Sequence, residues 1–155
     1  IKGSTERGMK IPTMLRYGVR MVMTLAQKGE MMNTEELAKE MGVSALYLRQ
    51  LASPLERAGI LQGIRGAKGG YLLTTNPREI TLSEITQAFD EDFSLLDCIR
   101  DSDSCPKSSD CKSRHLWEEI SNELKNILQN MTLQELVEKG EYNDTGATAW
   151  AEYII

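Results

Sequence analysis

The chain has 155 residues, of which 41% are hydrophobic and 26% charged, values that are ordinary for a globular protein. This length suits one domain, or a small domain with an appendage. No stretch reaches the roughly 18–20 apolar residues of a membrane span, and no signal-peptide pattern opens the chain. We therefore expect no membrane partner and a bacterial or archaeal cytoplasmic location, where thiols stay reduced.

The formal net charge of −5 conceals an asymmetry between the two halves of the chain. Residues 1–80 contain 12 Lys and Arg against 7 Asp and Glu, a balance of +5. Residues 81–155 contain 6 against 16, a balance of −10. This asymmetry suggests that only the first half meets a polyanion, although an unevenly charged solvated surface would give the same counts.

The first half of the chain begins with a predicted long helix. Residues 1–8 lack an apolar period and are interpreted as a tag or disordered extension, with Met9 as the native start. Apolar residues then recur at helical spacing from Leu15 to Leu25, and Gly29 supplies a stop.

Two shorter helices joined by a turn follow. Asn33 and Glu36 form a capping pair at the start of the second helix, and Gly42 ends it. Ser44 caps the third helix, "SALYLRQLA", which is expected to bend where Pro54 begins a fresh helical segment. In that interpretation, Ser53 caps the fresh segment.

The remaining elements are a hairpin and three helices. The apolar runs "ILQGI" and "YLL" flank "RGAKGG", which predicts two strands with a glycine-rich tip. Thr81 and Glu84 cap a short helix, and the best amphipathic helix of the chain starts near Ser113. A last helix opens at Thr132 and ends near Gly140, before a tail with an apolar end.

The two joined helices and the basic hairpin predict a winged helix-turn-helix domain that binds DNA. The second helix of such a motif enters the major groove with its N-terminal residues against the base edges. Arg49 can bind guanine and Gln50 adenine, whereas Ser44 and Tyr47 can hold phosphates. The hairpin tip would serve the minor groove or the phosphates. The candidate DNA-binding residues are Ser44, Tyr47, Arg49, Gln50, Arg65 and Lys68.

The sequence closely resembles the Rrf2 family of bacterial transcription regulators, which includes iron–sulfur cluster regulators and nitric-oxide sensors. The matching motifs include "MLRYGVRMVMTLA", "LAKEMGVSALYLRQL", "LERAGILQGIRGAKGGYLL", "ITLSEITQAFDE" and "LWEEISNELKNILQNMTLQELV", in order from Met9 to about Lys139. The resemblance implies a homodimer that binds a double-stranded operator with two half-sites. The residues expected at the dimer interface are Leu116, Trp117, Ile120, Leu124, Ile127 and Leu128.

All the cysteines lie in one predicted loop, at Cys98, Cys105 and Cys111. An odd count and a reducing compartment disfavour disulfides, and gaps of six and five residues are too long for a typical zinc site. A flexible loop of thiolates suits an iron–sulfur cluster, and cluster-binding members of the resembled family carry three cysteines at this place. Direct thiol sensing, another metal, or no role for the cysteines remain alternatives.

The fourth ligand of a cluster is left open. In the histidine-ligated members of the family, the histidine lies three residues after the last cysteine, whereas His115 lies four residues after Cys111. This shift rotates a helical side chain by about 100°. Besides His115, the candidates are water, a small thiol, a residue of the partner chain, or one of the carboxylates Asp97, Asp101, Asp103 and Asp110.

These observations predict a mainly α fold, with a small β-hairpin wing and a long dimerisation helix after the winged domain. The expected units are residues 9–92 for the DNA-binding domain, 93–112 for the cysteine loop, 113–140 for the dimerisation helices and 141–155 for the tail. We expect operator binding to be modulated by a [2Fe–2S] or [4Fe–4S] cluster that senses redox state, nitric oxide or cluster supply. The alternative is a cluster-independent regulator that responds through thiols or a partner protein. A single histidine, with no nucleotide-binding loop, argues against an enzyme.

Overall fold

The fold is that of a computed structural model, which describes residues 10–144, with side chains as far as residue 140. The predicted extension of residues 1–8, the predicted start at Met9, and residues 145–155 of the predicted tail lie outside the described residues. The helices are α1 Thr13–Lys28, α2 Thr34–Met41, α3 Ala45–Arg57, α4 Leu82–Ala88, α5 Asp97–Arg100, α6 Arg114–Asn130 and α7 Leu133–Asp144. The hairpin consists of β1 Leu61–Ile64 and β2 Gly70–Leu73. The expected fold class, mainly helical with a small hairpin, is confirmed.

Local capping explains where α2 and α3 begin. The Asn33 side chain accepts a 2.8 Å hydrogen bond from the backbone N–H of Glu36. Gly42 ends α2 in the left-handed conformation, with φ 66°, where glycine is strongly favoured. The Ser44 hydroxyl then accepts from the N–H of Tyr47 at 3.1 Å, so α3 starts where the sequence predicts.

The predicted interruption of α3 is wrong. Pro54 lies inside a single helix that continues to Arg57, so no fresh segment starts at Ser53. A proline inside a helix costs about 3 kcal/mol or more, because its missing N–H and its ring disrupt the preceding turn. Pro54 and Leu55 are both buried, and their packing against the core offsets that cost.

The hairpin is anchored to the connection between α1 and α2. In its antiparallel register, Leu61 pairs with Leu73 and Ile64 with Gly70. Met32 extends this ladder by one residue, since its N–H and C=O bond the backbone of Tyr71 at 3.0 and 2.9 Å. A side chain at Gly70 would collide with the Met32 backbone, so this close pairing requires glycine.

One hydrophobic core joins the first five elements to α4 and α7. Its buried side chains include those of Met21, Leu25, Leu37, Leu48, Leu51, Leu55, Ile85 and Leu133. In the described part of the chain, each helix is too short or too polar to span a membrane.

A short antiparallel bridge attaches the end of α6 to the core. The N–H of Leu82 bonds the carbonyl of Met131, and the N–H of Leu133 bonds the carbonyl of Ile80, both at 2.8 Å. Reciprocal capping boxes start α4 at Thr81 and α7 at Thr132, as the sequence predicts. The helix α7 continues past Gly140 to Asp144, so the predicted end was four residues short.

Candidate nucleic-acid interface and cysteine loop

The exposed face of α3 carries the residues expected to meet DNA. Arg49 and Gln50 are exposed, and Ser44 is exposed while it caps the helix. Tyr47 is only half-buried, and its ring forms a T-shaped pair with the ring of Tyr17, with centroids 5.7 Å apart. The side chains of Arg49 and Gln50 are therefore accessible to a ligand, whereas the ring of Tyr47 also contributes to packing.

The N-terminus of α3 is electrostatically suited to a phosphate. Its first turn contains no acidic residue, whereas the first turn of α2 contains Glu35 and Glu36. The free N–H groups and the positive end of the helix dipole favour an anion at this end of α3.

The hairpin tip presents the two predicted wing cations. Arg65 and Lys68 are exposed, and Gly66 adopts φ 111°, a conformation accessible to glycine. The N–H of Gly69 closes the turn onto the Gly66 carbonyl at 2.9 Å.

An open groove of about 690 Å³ separates α3 from the wing, and Arg49 and Arg65 both line it. Glu56 also lines this groove, so its charge is mixed. The pKa of Tyr71 is raised by burial and by Glu56, while Arg49 opposes the rise. The charge of Arg49 on α3 therefore influences the ionisation of Tyr71 on the wing strand β2.

Arg20 of α1 and Leu46 of α3 also belong to this surface. The guanidinium of Arg20 lies 5.0 Å from the ring centroid of Tyr17, so α1 adds a cation beside the Tyr17–Tyr47 pair. The i, i+3 spacing of Tyr17 and Arg20 is a sequence signal for this contact. Leu46, in the first turn of α3, is 65% exposed.

The three cysteines are free thiols at three different places in the loop. Cys98 lies on α5, Cys105 follows the 3-10 turn Ser102–Ser104, and Cys111 precedes α6. Each is half-buried, and His115 is exposed in the first turn of α6. Among residues 10–140, whose side chains the structure describes, no three His, Cys, Asp or Glu side chains lie together as a metal site would require. The thiols fit an iron–sulfur cluster in chemistry, but this loop conformation does not gather them.

Arg114 occupies the position three residues after Cys111 and bonds back to the loop. Its Nη1 donates to the carbonyl of Ser108 at 3.1 Å, while its buried Nε has no partner in the described residues. The pKa of Cys111 is lowered, first by the Ser113 hydroxyl 3.4 Å away and then by the backbone N–H of Arg114.

Asp92 connects the start of the cysteine loop to both α5 and α6. Its carboxylate pairs with Arg100 at 3.2 Å and with Lys125 at 3.6 Å, and it accepts from the Ser94 hydroxyl. Burial alone would raise the pKa of Asp92, but the Ser94 hydroxyl, Lys125 and Arg100 together lower it.

Ser121 provides a second attachment of the loop to α6. It is completely buried, and its hydroxyl accepts from the N–H of Leu95 at 3.2 Å. The cysteine loop is therefore attached to α6 at its beginning, and it is attached again at Arg114, where α6 starts.

The residues expected at the dimer interface line one face of α6. Leu116, Trp117, Ile120 and Ile127 are exposed, and Leu124 and Leu128 are half-buried. Leu95 and Leu96 join this face at an apolar groove of about 660 Å³. An exposed apolar surface of this kind marks an interaction site.

Comparison with known proteins identifies a single family. The model of the Rrf2 family, described as an iron-dependent transcriptional regulator, matches residues 11–139. The HTH-type transcriptional regulator CymR of Bacillus subtilis is 34% identical over 148 residues, which are 94% of this chain and 100% of that protein. The regulator IscR of Pectobacterium atrosepticum is 32% identical over 136 residues, covering 86% and 82% of the two chains.

A solved structure has the same fold. The structure of CymR, the global cysteine regulator of B. subtilis, matches with a TM-score of 0.70 and 32% identity. The match covers 85% of this chain and 98% of that one.

We predict that Asp92→Asn loosens the start of the cysteine loop, because it removes both ion pairs. Cys98 should be alkylated faster by iodoacetamide, as measured by mass spectrometry. The free energy of unfolding should fall by less than about 1 kcal/mol, since these pairs are partly exposed. The lowered pKa of Asp92 means that its contribution is complete above the ordinary carboxyl pKa of about 4 and is lost as pH falls through the folded value.

Asp90→Asn is the matched control, since it removes the same charge and asparagine tolerates the positive φ of 56° there. Equal alkylation rates in both variants and the unmodified protein would contradict the prediction.

Proposed function

Because the chain belongs to the Rrf2 family of transcription regulators, we propose that it binds an operator in double-stranded DNA as a homodimer and that its cysteine loop modulates this binding. Family membership confirms the expectation that the chain is a regulator and not an enzyme. The observation that carries the proposal is the position of the three cysteines, in a loop attached at both ends to α6.

The exposed face of α3 is the proposed reader of the operator. Arg49 would fork onto guanine and Gln50 onto adenine in the major groove. The N-terminus of α3, with Ser44 beside it, would receive a phosphate, and Arg65 and Lys68 would hold the backbone beside the wing.

The apolar face of α6 is the proposed dimer interface. An exposed stripe that runs from Leu116 to Ile127 is costly in water unless another apolar surface covers it. A second copy supplies an identical stripe, so a two-fold axis can bury both. Two recognition helices related by that axis would then meet half-sites about one helical turn apart.

An iron–sulfur cluster is the proposed regulatory group, with Cys98, Cys105 and Cys111 as its ligands. Three free thiols on one loop support this assignment, and a bound cluster supplies a centre that reacts with oxidants or nitric oxide. The loop has to rearrange before these thiols converge. Arg114, which is bonded to Ser108, occupies the position three residues after Cys111, so the fourth ligand would be the exposed His115, a loop carboxylate, a residue of the partner chain, water or a small thiol.

Direct thiol sensing is the second candidate. It needs no convergence of three ligands, and the thiols are partly accessible in the described conformation. The lowered pKa of Cys111 favours its reactive thiolate form.

We predict that Ile120→Glu gives a monomer, because it places a charge in the centre of the apolar face. The side chain is 42% exposed in the protomer, so the fold should persist. Analytical sedimentation measures the change in oligomeric state. Asn122→Glu, which adds the same charge to another face of α6, is the control. A dimeric Ile120→Glu protein would place the dimer interface elsewhere.

Operator binding is tested with a sequence selected by the protein from a random DNA pool. Arg49→Ala should weaken binding by about 1–3 kcal/mol and relax the preference at one base pair. Arg57→Ala removes the same charge about 12 Å further along α3 and should change affinity little. Failure to select any sequence, or equal losses in both variants, would contradict base reading by Arg49.

The role of the loop is tested by anaerobic reconstitution with iron and sulfide. We expect a coloured protein whose operator affinity differs from that of the iron-free form by about 5- to 150-fold, and a colourless Cys98→Ala, Cys105→Ala, Cys111→Ala variant. A colourless wild type whose affinity changes on thiol oxidation would support thiol sensing instead. Unaltered affinity under both treatments would refute a regulatory role for the cysteines.

A further inference from the structure

Leu46 is the large hydrophobic side chain that α3 leaves most open to water. It is 65% exposed, more than any other large hydrophobic residue that is exposed in the described part of the chain. Leu48, Leu51 and Leu55 on the same helix are completely buried. The core face of α3 is therefore complete without Leu46.

The exposure of Leu46 is informative only because of its position, since single exposed apolar residues are common on protein surfaces. Leu46 precedes Arg49 and Gln50 by three and four residues, so the three side chains are neighbours on one face of α3. It also lies in the first turn, which is the part of a recognition helix that approaches base edges. The apolar stripe of α6 is a separate surface, since α6 packs mainly against α4 and α5.

We infer that Leu46 reads the 5-methyl group of a thymine in each half-site, an inference that rests on the proposed DNA binding. Arg49 and Gln50 provide hydrogen bonds for guanine and adenine, but neither recognises thymine through its methyl group. That methyl is the apolar group that a base pair exposes in the major groove, and an apolar side chain is its natural partner. The recognition face would then combine a cation, an amide and a hydrocarbon.

The expected effect follows from burial of one methyl group. Removing that methyl from the correct thymine should weaken binding about fourfold, since a buried methyl-sized group contributes roughly 0.8 kcal/mol. Thymines that do not face Leu46 should show no such effect.

The experiment replaces each thymine of a selected operator, one at a time, by deoxyuridine, which keeps every hydrogen-bonding group and lacks only the methyl. Binding of each DNA is measured for the wild-type dimer, Leu46→Ala and Leu46→Met. We expect the wild type to discriminate thymine from uracil at one position per half-site. Leu46→Ala should bind the two DNAs equally, and Leu46→Met, which keeps an apolar contact, should retain the discrimination.

The possible failures are distinguishable. A wild type that selects no operator overturns the proposed function and this inference together. A wild type that binds its operator but tolerates uracil at every position overturns the inference alone. So does a Leu46→Ala protein that still discriminates, because another group would then contact the methyl. Thermal unfolding of Leu46→Ala should match that of the wild type, since the side chain is largely outside the core.

Discussion

The backbone bridge between Ile80–Leu82 and Met131–Leu133 fixes the position of the long helix α6 relative to the winged helix-turn-helix domain. Its two 2.8 Å hydrogen bonds bring the starts of α4 and α7 together, and each start carries its own capping box. Ile80 and Leu133 are thereby buried in the core, which makes slippage of the bridge costly. The end of α6 is fixed to this domain, and the apolar face of α6 remains exposed to solvent.

The cysteine loop is attached to the same helix at two levels. Asp92 and Leu95 fix its beginning to Lys125 and Ser121, whereas Arg114 holds its end. Exposed ion pairs such as those of Asp92 contribute only about 0–1 kcal/mol each. The loop can therefore change conformation at a small cost in free energy. A ligand that binds one loop conformation more tightly than another will increase the population of the first.

Local signals predicted most of the fold, and long-range contacts account for what they missed. The caps at Asn33, Ser44 and Thr81 each involve residues three apart, so the sequence itself displays them. Pro54 predicts an interruption of α3 because the cost of a proline inside a helix is visible in the sequence, whereas the burial that compensates it is not. Asp92 was missed for the same reason, since its partner Lys125 is remote in sequence.

The candidate site divides in the same way. The exposure of Arg49 and Gln50 follows from helical periodicity, because the core residues of α3 define the opposite face. The arrangement of the thiols does not follow from their spacing. A loop rich in Asp and Ser has many conformations of similar energy, and Arg114 selects one through its bond to Ser108, a contact between a helix and a loop that no local pattern specifies.

The charge of the chain limits how it can bind DNA. At a net charge of −5 per chain, and twice that for a dimer, the whole molecule is repelled by a polyanion, so attraction depends on cations concentrated near α3 and the wing. Each phosphate contact contributes a salt-sensitive term that is the same for every sequence. A protein with few such contacts has weak non-specific binding, and the base contacts proposed for α3 would then supply a larger share of the operator affinity. The phosphate contacts proposed for this chain are few, since they involve Arg65, Lys68 and the N-terminus of α3, so such an arrangement would favour selectivity over general affinity for DNA.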